Sequence, residues 1–351
     1  MTAAKKKNSR RKQARFRSSR RKRIRNTVLL LLLLVVLGGT GIGAIYVLRN
    51  GTVFDKLEDA YVASREFSGG ITDLDSLRAD GFAKNLCVVV SDVPMDGVSL
   101  GENQKGLPLD QDDRKVLYSK QALQKVYPAS ITKIMTAMLA LKYGNMDDVV
   151  TITQENLNLE EGSQVCGFWA GDQVTMDQLL HCLLVYSGND AAAAIAEHVG
   201  GSTDGFVEMM NSYARELGCT GTHFTNPHGL QDENHYTTPY DIYLMLKEAL
   251  NYPEFTQITQ SGSYTVEYTH ADGSSASTTL LATDHYLTGE ATPPKNVTIL
   301  GGKTGTTDNA GNCLALLSQN AYGKPYISIV MGASTKDELY EQMSSLLQNI
   351  N

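Results

Sequence analysis

The stretch PASITKIMTAMLALK, residues 128–142, contains the helix around which the predicted fold is arranged. Its apolar residues recur at helical spacing and form one face, which predicts a helix from about Ser130 to Lys142. Ser130 and Lys133 are three residues apart, so their side chains lie on the same side of this helix. The stretch therefore predicts a helix that presents an alcohol and an amine together at its start.

More helices follow this first one along the chain. They are predicted at about Met176 to Val185, at Asn189 to His198, at Thr203 to Leu217, and from Thr238 onward. Gly218 is in the position favoured for a C-terminal cap. Thr238 followed by Pro239 is a clear helix start. The middle of the chain is therefore predicted to be mainly helical.

Strands are predicted on both sides of this helical region. Before it, LCVVVS (residues 86–91) and Lys115–Ser119 resemble buried strands, and residues 92–114 are expected to form an exposed loop between them. After it come SYTVEYTH (263–270), VTILGGKTG (297–305), NCLALLS (312–318), PYISIVMGAS (325–334) and a closing helix capped by Thr335. Strands at both ends of a helical middle predict one sheet built from both ends of the domain, with helices packed against it.

The amino-terminal region differs sharply in charge from the rest. Residues 1–26 hold 13 of the 31 Lys and Arg residues and no acidic residue, which leaves 18 basic residues against 38 acidic ones elsewhere. Residues 27–48 are uncharged and apolar, long enough to cross a bilayer and longer than the apolar core of a usual signal peptide. We predict a basic cytoplasmic tail (1–26), an uncleaved transmembrane anchor (27–48), a stalk (49–85) and an extracytoplasmic domain (86–351).

The basic tail also raises the possibility of a nucleic-acid partner. A tail beside a membrane span already has a sufficient role in orienting that span and in contacting anionic lipid. The acidic remainder of the chain would repel nucleic acid. We therefore expect the cell membrane as a partner, through the amino-terminal helix, and no nucleic acid.

The five cysteines are widely spaced and contain no Cys-x-x-Cys pair. An odd number leaves at least one thiol unpaired. Cys87 and Cys313 lie in apolar runs, where a buried small side chain is the simpler explanation. We expect neither a disulfide framework nor a metal site.

The pair Ser130 and Lys133 is the first candidate for chemistry. A serine hydroxyl is a poor nucleophile until a base takes its proton. Lysine can be that base only if its pKa falls from about 10.4 to about 7–8, which costs roughly 4 kcal/mol. A helix N-terminus, burial and a second cation all favour that change. The same spacing at Ser9–Lys12 and Ser19–Lys22 shows that the pair alone is weak, since a serine that opens a helix is often only a cap.

Two further motifs follow in the chain. Ser187-Gly-Asn189 lies between two predicted helices, where a turn with a helix cap would equally explain it. Lys303-Thr-Gly-Thr-Thr307 ends a predicted strand, where glycines would let a substrate backbone approach closely. A simple turn is the alternative there, and a phosphate-binding loop is excluded because no Gly-x-x-x-x-Gly precedes Lys303 in the required spacing.

Together the three motifs, in this order, resemble those of the low-molecular-mass penicillin-binding proteins of the serine D-Ala-D-Ala carboxypeptidase type. The resemblance runs from about Leu86 to the C-terminus and includes FTNPHGL (224–230), HYTT (235–238) and the leucine-rich segment before Ser187. It implies an α/β (α+β) β-lactamase/transpeptidase-like fold of two subdomains. Such a fold has an antiparallel sheet built from both ends of the domain, flanking helices and a helical subdomain in the middle.

The resemblance also implies a role for each catalytic residue. Ser130 would attack the carbonyl between the two D-alanines and become an acyl ester, and Lys133 would accept its proton. Ser187 would relay a proton to the leaving D-alanine. Asn189 would orient the substrate or Lys133. No cofactor and no metal are implied.

The strand motif would bind the substrate. Lys303 would attract the terminal carboxylate, with Thr304, Gly305 and Thr306 lining the same site. The backbone N–H groups of Ser130 and Thr306 would form the oxyanion hole. The implied substrate is the D-Ala-D-Ala end of the peptidoglycan stem pentapeptide, and β-lactams would acylate Ser130 as covalent inhibitors.

Three alternatives stay open at this stage. A β-lactamase of the same fold needs a glutamate after the second motif, whereas the nearest pattern, Glu155-Asn-Leu-Asn158, precedes Ser187. A zinc peptidase lacks His-Glu-x-x-His, and His228 and His235 have no evident third ligand. A non-catalytic penicillin-binding wall protein would not need a complete nucleophile and base. The balance between carboxypeptidase and endopeptidase activity is left undecided.

Overall fold

The structure, a computed structural model, describes residues 85–350. The predicted tail (1–26), the predicted anchor (27–48) and all of the predicted stalk except residue 85 lie outside this range. Between residues 85 and 350, no helix has the length and apolar character that crossing a bilayer requires.

The described part of the chain contains nine strands and nine α-helices. The strands are β1 (Lys105–Asp110), β2 (Lys115–Val116), β3 (Val149–Thr151), β4 (Gln173–Thr175), β5 (Ser263–Thr269), β6 (Ser275–Leu281), β7 (Thr298–Thr307), β8 (Gly311–Gln319) and β9 (Pro325–Ala333). The α-helices are α1 (Lys133–Tyr143), α2 (Gln154–Leu157), α3 (Met176–His181), α4 (Asn189–Gly200), α5 (Thr203–Glu216), α6 (Pro239–Ala249), α7 (Pro253–Thr259), α8 (His285–Thr288) and α9 (Lys336–Leu347). A 3-10 helix (Ala129–Thr132) leads into α1, a π-helix (Cys182–Tyr186) follows α3, and a 3-10 turn (Gln348–Ile350) follows α9.

The larger sheet has five antiparallel strands in the order β2-β1-β9-β8-β7. It joins strands from before and after the helical region, which confirms the prediction of a sheet built from both ends. Successive residues of β8 enter different core clusters: Leu314 and Leu316 pack with α9, whereas Ala315 and Leu317 pack with the core that includes α1. Because both faces of the sheet are covered, the central residues of β8 and β9 are apolar on both faces.

The second subdomain has a small sheet of its own. Its order is β3-β4-β5-β6, and all neighbouring pairs are antiparallel. The sequence predicted β5 as a strand but did not predict its neighbours or a second sheet. β3 and β4 have only three residues each, which is too short for a periodic pattern, and β6 is largely polar.

Two predictions near the start of the domain are wrong. Residues 86–91 form no strand: Val88 and Val90 are exposed, and two tyrosine hydroxyls bond the Cys87 backbone instead. Residues 92–114 are not only a loop, because they contain the buried strand β1. β1 was not predicted from the sequence because it contains Gly106 and Pro108, and both residue types are unfavourable inside most strands.

The predicted helices are found close to their expected bounds. Thr238 accepts a hydrogen bond from the backbone N–H of Asp241 at 3.0 Å and caps α6 as expected. Gly218 follows α5 with a left-handed φ of 81°. The predicted strand Lys115–Ser119 is shorter, because ladder pairing in β2 ends at Val116 and Ser119 forms only an isolated bridge with Val93.

Candidate active site

The chain enters α1 through an unusual backbone turn. Ala129, directly before Ser130, has a left-handed φ of 47°. The loop that carries Gly229 packs against this turn so closely that a Cβ on Gly229 would lie 1.9 Å from the Ala129 carbonyl oxygen. Only glycine fits at position 229, where φ is also 90°. The turn places Ser130 in the first turn of the 3-10 helix, where backbone N–H groups have no partner within the helix.

Ser130 and Lys133 are in direct contact, as their spacing predicted. Lys133 Nζ lies 2.9 Å from Ser130 Oγ. It also lies 2.6 Å from Asn189 Oδ1, at the start of α4, and 2.7 Å from the His228 carbonyl oxygen. Lys133 is fully buried, so these three neighbours define its polar environment.

The environment of Lys133 favours the uncharged amine. Burial holds the pKa of Lys133 well below its usual value, and the nearby charge of Lys303 lowers it further. An uncharged amine has two N–H groups and one lone pair. The oxygens of Asn189 and His228 can only accept, so they take the two N–H groups. The lone pair is therefore directed at the Ser130 hydroxyl, which is the arrangement that a base needs.

Ser187 is placed by a π-helix that ends in a left-handed residue. The π-helix ends at Tyr186 and is followed by Ser187, whose φ is 71°. Helix α4 then begins at Asn189. Between them, Gly188 has no room for a side chain, because a Cβ there would lie 2.3 Å from Cys166 Sγ. Single-turn π-helices often mark functional positions in α-helices. Here the turn exposes the Ser187 hydroxyl to the same cleft as Ser130.

Lys303 of β7 approaches the site from the sheet. Its Nζ donates to Ser187 Oγ at 2.9 Å and to the Thr304 carbonyl oxygen at 2.9 Å. Burial lowers the pKa of Lys303 to about 7, and the negative charge of Asp284 partly opposes that effect. Because Lys303 donates to Ser187, the hydroxyl hydrogen of Ser187 is free to point elsewhere in the cleft.

The end of β7 forms one wall of the cleft. A Cβ on Gly305 would lie 2.9 Å from the backbone nitrogen of Ser130, so glycine lets the strand pack directly on the start of α1. The Thr304 hydroxyl is 2.5 Å from that of Thr283, and the Thr306 hydroxyl donates to Asn312 Oδ1 at 3.1 Å. Both threonines line the cleft.

All eight predicted residues converge here. The cleft has a volume of about 330 Å³ and is lined by Ser130, Ser187, Asn189, Thr304, Gly305 and Thr306, among others. Lys133 and Lys303 lie behind this lining and reach it through their hydrogen bonds to the two serines. An alcohol, a buried amine and a second buried cation thus meet at one opening, an arrangement suited to acyl transfer from an anionic substrate.

Comparison with known proteins gives the same family that the motifs suggested. The family model described as D-alanyl-D-alanine carboxypeptidase matches residues 103–335. This chain belongs to that family.

Two curated relatives and one solved structure illustrate the similarity to other D-alanyl-D-alanine carboxypeptidase family members. The D-alanyl-D-alanine carboxypeptidase DacF of Bacillus subtilis is 36% identical over 251 residues, which are 70% of this chain and 61% of DacF. DacC of Escherichia coli is 33% identical over 251 residues, 68% of this chain and 58% of DacC. This chain therefore spans about three fifths of their length. The DD-transpeptidase of a Streptomyces strain has the same fold, with a TM-score of 0.65 at 27% identity, over 74% of this chain and 98% of that protein.

Two features of the site were not predicted from the sequence: the carbonyl contact of His228 and the role of Asp190. The His228 carbonyl contacts Lys133, but a backbone oxygen leaves no signal in the residue type. Asp190, next to Asn189, is fully buried and accepts hydrogen bonds from the backbone N–H groups of Cys166 at 2.8 Å and Gly167 at 3.3 Å. It fixes the segment whose neighbouring residues, 162–164, line the cleft. The available sequence signal for Asp190 was an acidic residue directly after Ser187-Gly-Asn189 and before four alanines.

The two histidines considered as zinc ligands have separate structural contacts. The backbone N–H of Thr225 donates to His235 Nδ1 at 3.0 Å, so His235 Nε2 carries the hydrogen and donates to Thr132 Oγ1 at 2.7 Å. His228 Nδ1 accepts from the backbone N–H of Leu230 at 3.2 Å. Burial lowers the pKa of His235 to about 4 and that of His228 to about 3, so both rings are neutral. From residue 85 to residue 350, no group of three potential metal ligands is found.

The glutamate considered for a β-lactamase mechanism lies away from the cleft. Glu155 is an exposed residue of α2, and its neighbour Asn156 bonds Glu197 at 2.7 Å. Among the residues that line the cleft in the described part of the chain, none is a glutamate. The cleft therefore lacks the side chain that would activate water by that mechanism.

Proposed function

We propose that this chain is a serine D-alanyl-D-alanine carboxypeptidase. It removes the terminal D-alanine from the peptidoglycan stem pentapeptide through an acyl-enzyme on Ser130. The observation that supports the proposal is the contact of Ser130 Oγ with Lys133, which is buried and has a lowered pKa. Ser130 faces the same cleft as Ser187, and Ser187 accepts a hydrogen bond from Lys303.

Acylation begins with proton transfer from Ser130 Oγ to the lone pair of Lys133. The oxygen attacks the carbonyl carbon of the penultimate D-alanine and forms a tetrahedral intermediate. Its negative oxygen accepts hydrogen bonds from the backbone N–H groups of Ser130 and Thr306. Preorganised donors of this kind are each worth about 3–4 kcal/mol in other acyl-transfer enzymes.

Departure of D-alanine requires that its nitrogen receive a proton as the C–N bond breaks. Ser187 is suited to deliver it, because Lys303 donates to the Ser187 oxygen and leaves the hydroxyl hydrogen available. Lys133, protonated in the first step, replaces the proton lost by Ser187. Hydrolysis of the ester reverses these roles: water loses a proton to Lys133 and attacks the acyl carbon, and Ser130 recovers its hydrogen.

Lys303 gives the site its preference for a carboxylate-terminated peptide. As the cation behind the cleft, it attracts the terminal carboxylate, and the Thr304 and Thr306 hydroxyls supply hydrogen bonds. A β-lactam carries a carboxylate at a similar distance from its strained amide. β-Lactams are therefore expected to acylate Ser130 and to remain bound as covalent inhibitors.

The proposal includes a location for the activity. The basic residues 1–26 stay in the cytoplasm, residues 27–48 anchor the chain in the cell membrane, and the domain from about residue 86 acts outside, where peptidoglycan is found. The charge asymmetry and the uncharged 22-residue run support this orientation. Fractionation of cells into soluble and membrane parts, with protease added to intact spheroplasts, tests it.

The decisive experiment measures D-alanine released from diacetyl-Lys-D-Ala-D-Ala by the purified full-length protein. Ser130→Ala is expected to abolish release, whereas Ser212→Ala, on the exposed side of α5, leaves it unchanged. Activity retained by Ser130→Ala would refute the proposal. A stable penicillin adduct without D-alanine release would identify a binding protein, and rapid turnover of nitrocefin would identify a β-lactamase.

A further inference from the structure

A second groove lies beside the cleft, at the end where β7 finishes. Its volume is about 770 Å³, more than twice that of the cleft. On one side it is lined by Tyr127, three residues before Ser130, and on the other by Asp308, which directly follows Thr307 of the cleft. The groove and the cleft are therefore lined by neighbouring residues of the same two segments: the one that leads into α1 and the one that runs from the end of β7 into β8.

The direction of the bound substrate follows from the order of residues along β7. Lys303 and Thr304 are at the carboxylate end, and Gly305 is beside Ser130, where the scissile carbonyl must lie. The substrate residues that precede this carbonyl can only continue toward Thr307. An extended peptide advances roughly 3.3 Å per residue, so the residues two to four positions before the scissile bond reach the groove.

The groove contains charges of both signs. Lys125 Nζ lies 3.7 Å above the ring of Tyr236, which holds the ammonium over the groove. Asp308 is exposed in the turn between β7 and β8, and Glu233 lines the same groove. Such a surface suits a ligand that itself carries both an ammonium and a carboxylate, because each charge then finds an opposite partner.

We propose that this groove binds the amino-terminal part of the stem peptide, with Asp308 pairing the free side-chain ammonium of its diamino acid and Lys125 pairing the free α-carboxylate of its γ-linked glutamate. The proposal rests on the proposed function, since it concerns the same substrate. It adds that the enzyme selects stem peptides that carry this ammonium and this α-carboxylate over shorter peptides that lack both.

A second stem peptide that acts as an acceptor would not use this groove. The acceptor amine takes the place of the leaving D-alanine and so approaches from the Lys303 side of Ser130. The groove lies on the opposite side, next to the acyl group that stays on the enzyme. It therefore affects formation of the acyl-enzyme from the donor.

The first test compares kcat/KM for two substrates of the full-length protein. One is diacetyl-Lys-D-Ala-D-Ala, and the other is L-Ala-γ-D-Glu-L-Lys-D-Ala-D-Ala with its free ammonium and α-carboxylate. We expect the wild-type protein to prefer the pentapeptide. In Lys125→Gln and Asp308→Asn, the ratio of the two kcat/KM values should fall about three- to fivefold each, as expected for partly exposed charge pairs.

Matched controls separate the groove from general charge effects. Lys142 also lies over a tyrosine, 3.9 Å from the ring centroid of Tyr213, but on α1 and outside both cavities. Asp147 is likewise exposed and outside both. Lys142→Gln and Asp147→Asn should keep the wild-type ratio. An unchanged ratio in both groove variants would refute binding of the stem peptide in the groove. Release of D-alanine would still support the proposed function in that case.

A second measurement tests the proposed role of the groove even if no D-alanine is released. The rate of covalent acylation is compared for benzylpenicillin and for a penicillin with a zwitterionic α-aminoadipyl side chain. Both variants should lower the ratio of zwitterionic to benzyl acylation rates, and both controls should preserve it. Equal ratios in wild type, both groove variants and both controls would refute the proposal that the groove binds the stem peptide. A shifted acylation ratio without any peptide hydrolysis would refute only the proposed function.

Discussion

Replacing Gly305 with alanine tests whether the close approach of β7 to the start of α1 determines the reactivity of Ser130. The new Cβ would lie 2.9 Å from Ser130 N, 3.0 Å from Ile131 N and 3.0 Å from the Pro128 carbonyl oxygen. Comfortable contacts between such atoms begin at about 3.5 Å, so all three are short by roughly half an ångström. Since all three are backbone atoms, no side chain can rotate away, and the strand must separate from the helix.

The expected effect on stability is moderate and the effect on catalysis is large. Overpacking by one methyl group typically costs about 1–3 kcal/mol, and each kcal/mol lowers Tm by about 2–4 °C in a domain of this size. Separation of the strand also moves the N–H of Thr306 away from that of Ser130. If these two groups form the oxyanion hole, losing one of them lowers the acylation rate by about 10²–10³-fold.

The assay is the second-order rate constant for acylation by a fluorescent penicillin, measured together with Tm. Gly262→Ala is the matched control, because its Cβ would lie 2.9 Å from the Leu287 carbonyl oxygen, at a site that does not line the cleft. It should lower Tm similarly and leave acylation near the wild-type rate. If Gly305→Ala lowers Tm like the control but acylates within about threefold of wild type, the assignment of the oxyanion hole is wrong.

Three further predictions concern the charges of the site. Because the pKa of Lys303 is lowered to about 7, its cationic form exists below that pH and is lost above it, so kcat/KM of the free enzyme should fall as pH rises through about 7. Lys303→Gln removes a charge that lowers the pKa of Lys133. The acid limb of the pH profile of penicillin acylation should therefore move to higher pH, and an unmoved limb would contradict an effect of Lys303 on the pKa of Lys133. Asn189→Ala should lower the acylation rate about 10²-fold, because the lone pair of Lys133 is then misdirected. Asn189→Asp should not restore the rate, because a carboxylate would raise the pKa of Lys133. Equal acylation rates for Asn189→Asp and wild type, measured with the same fluorescent penicillin, would exclude this orienting role.

The sequence predicted those parts of the fold in which one short stretch carries a complete pattern. The runs at β8 and β9 are long and apolar at their centres, so each was recognised as a strand, and β7 was recognised from its strand-like start, VTILGG (residues 297–302). β1 was missed because Gly106 and Pro108 interrupt it, although its neighbours in the sheet supply the pairing. The run at residues 86–91 failed for the opposite reason: its composition suits a strand, but its backbone bonds to tyrosine side chains.

The site could be predicted only in part for a related reason. Helical spacing alone places Lys133 beside Ser130, and the structure gives that contact as 2.9 Å. No local rule brings residue 303 within reach of residue 187, so their meeting was expected only from the resemblance to a known family. The carbonyl of His228 could not be foreseen, because its position depends on Gly229 packing against Ala129, a contact about 100 residues apart in the chain.

The burial of Lys133 and Lys303 gives a physical reason for proposing Lys133 as the base of Ser130. Both are fully buried, and among the described residues neither takes part in an ion pair. Two buried cations with no carboxylate at ion-pair distance would cost several kcal/mol each, which favours loss of the charge on one of them. Lys133 is that one, because burial and the charge of Lys303 together hold its pKa well below the usual value although Asp190 opposes them, whereas for Lys303 burial is opposed by Asp284. In the proposed mechanism the remaining charge on Lys303 is stabilised by the incoming carboxylate, so the burial that favours an uncharged Lys133 also favours binding of an anionic peptide end.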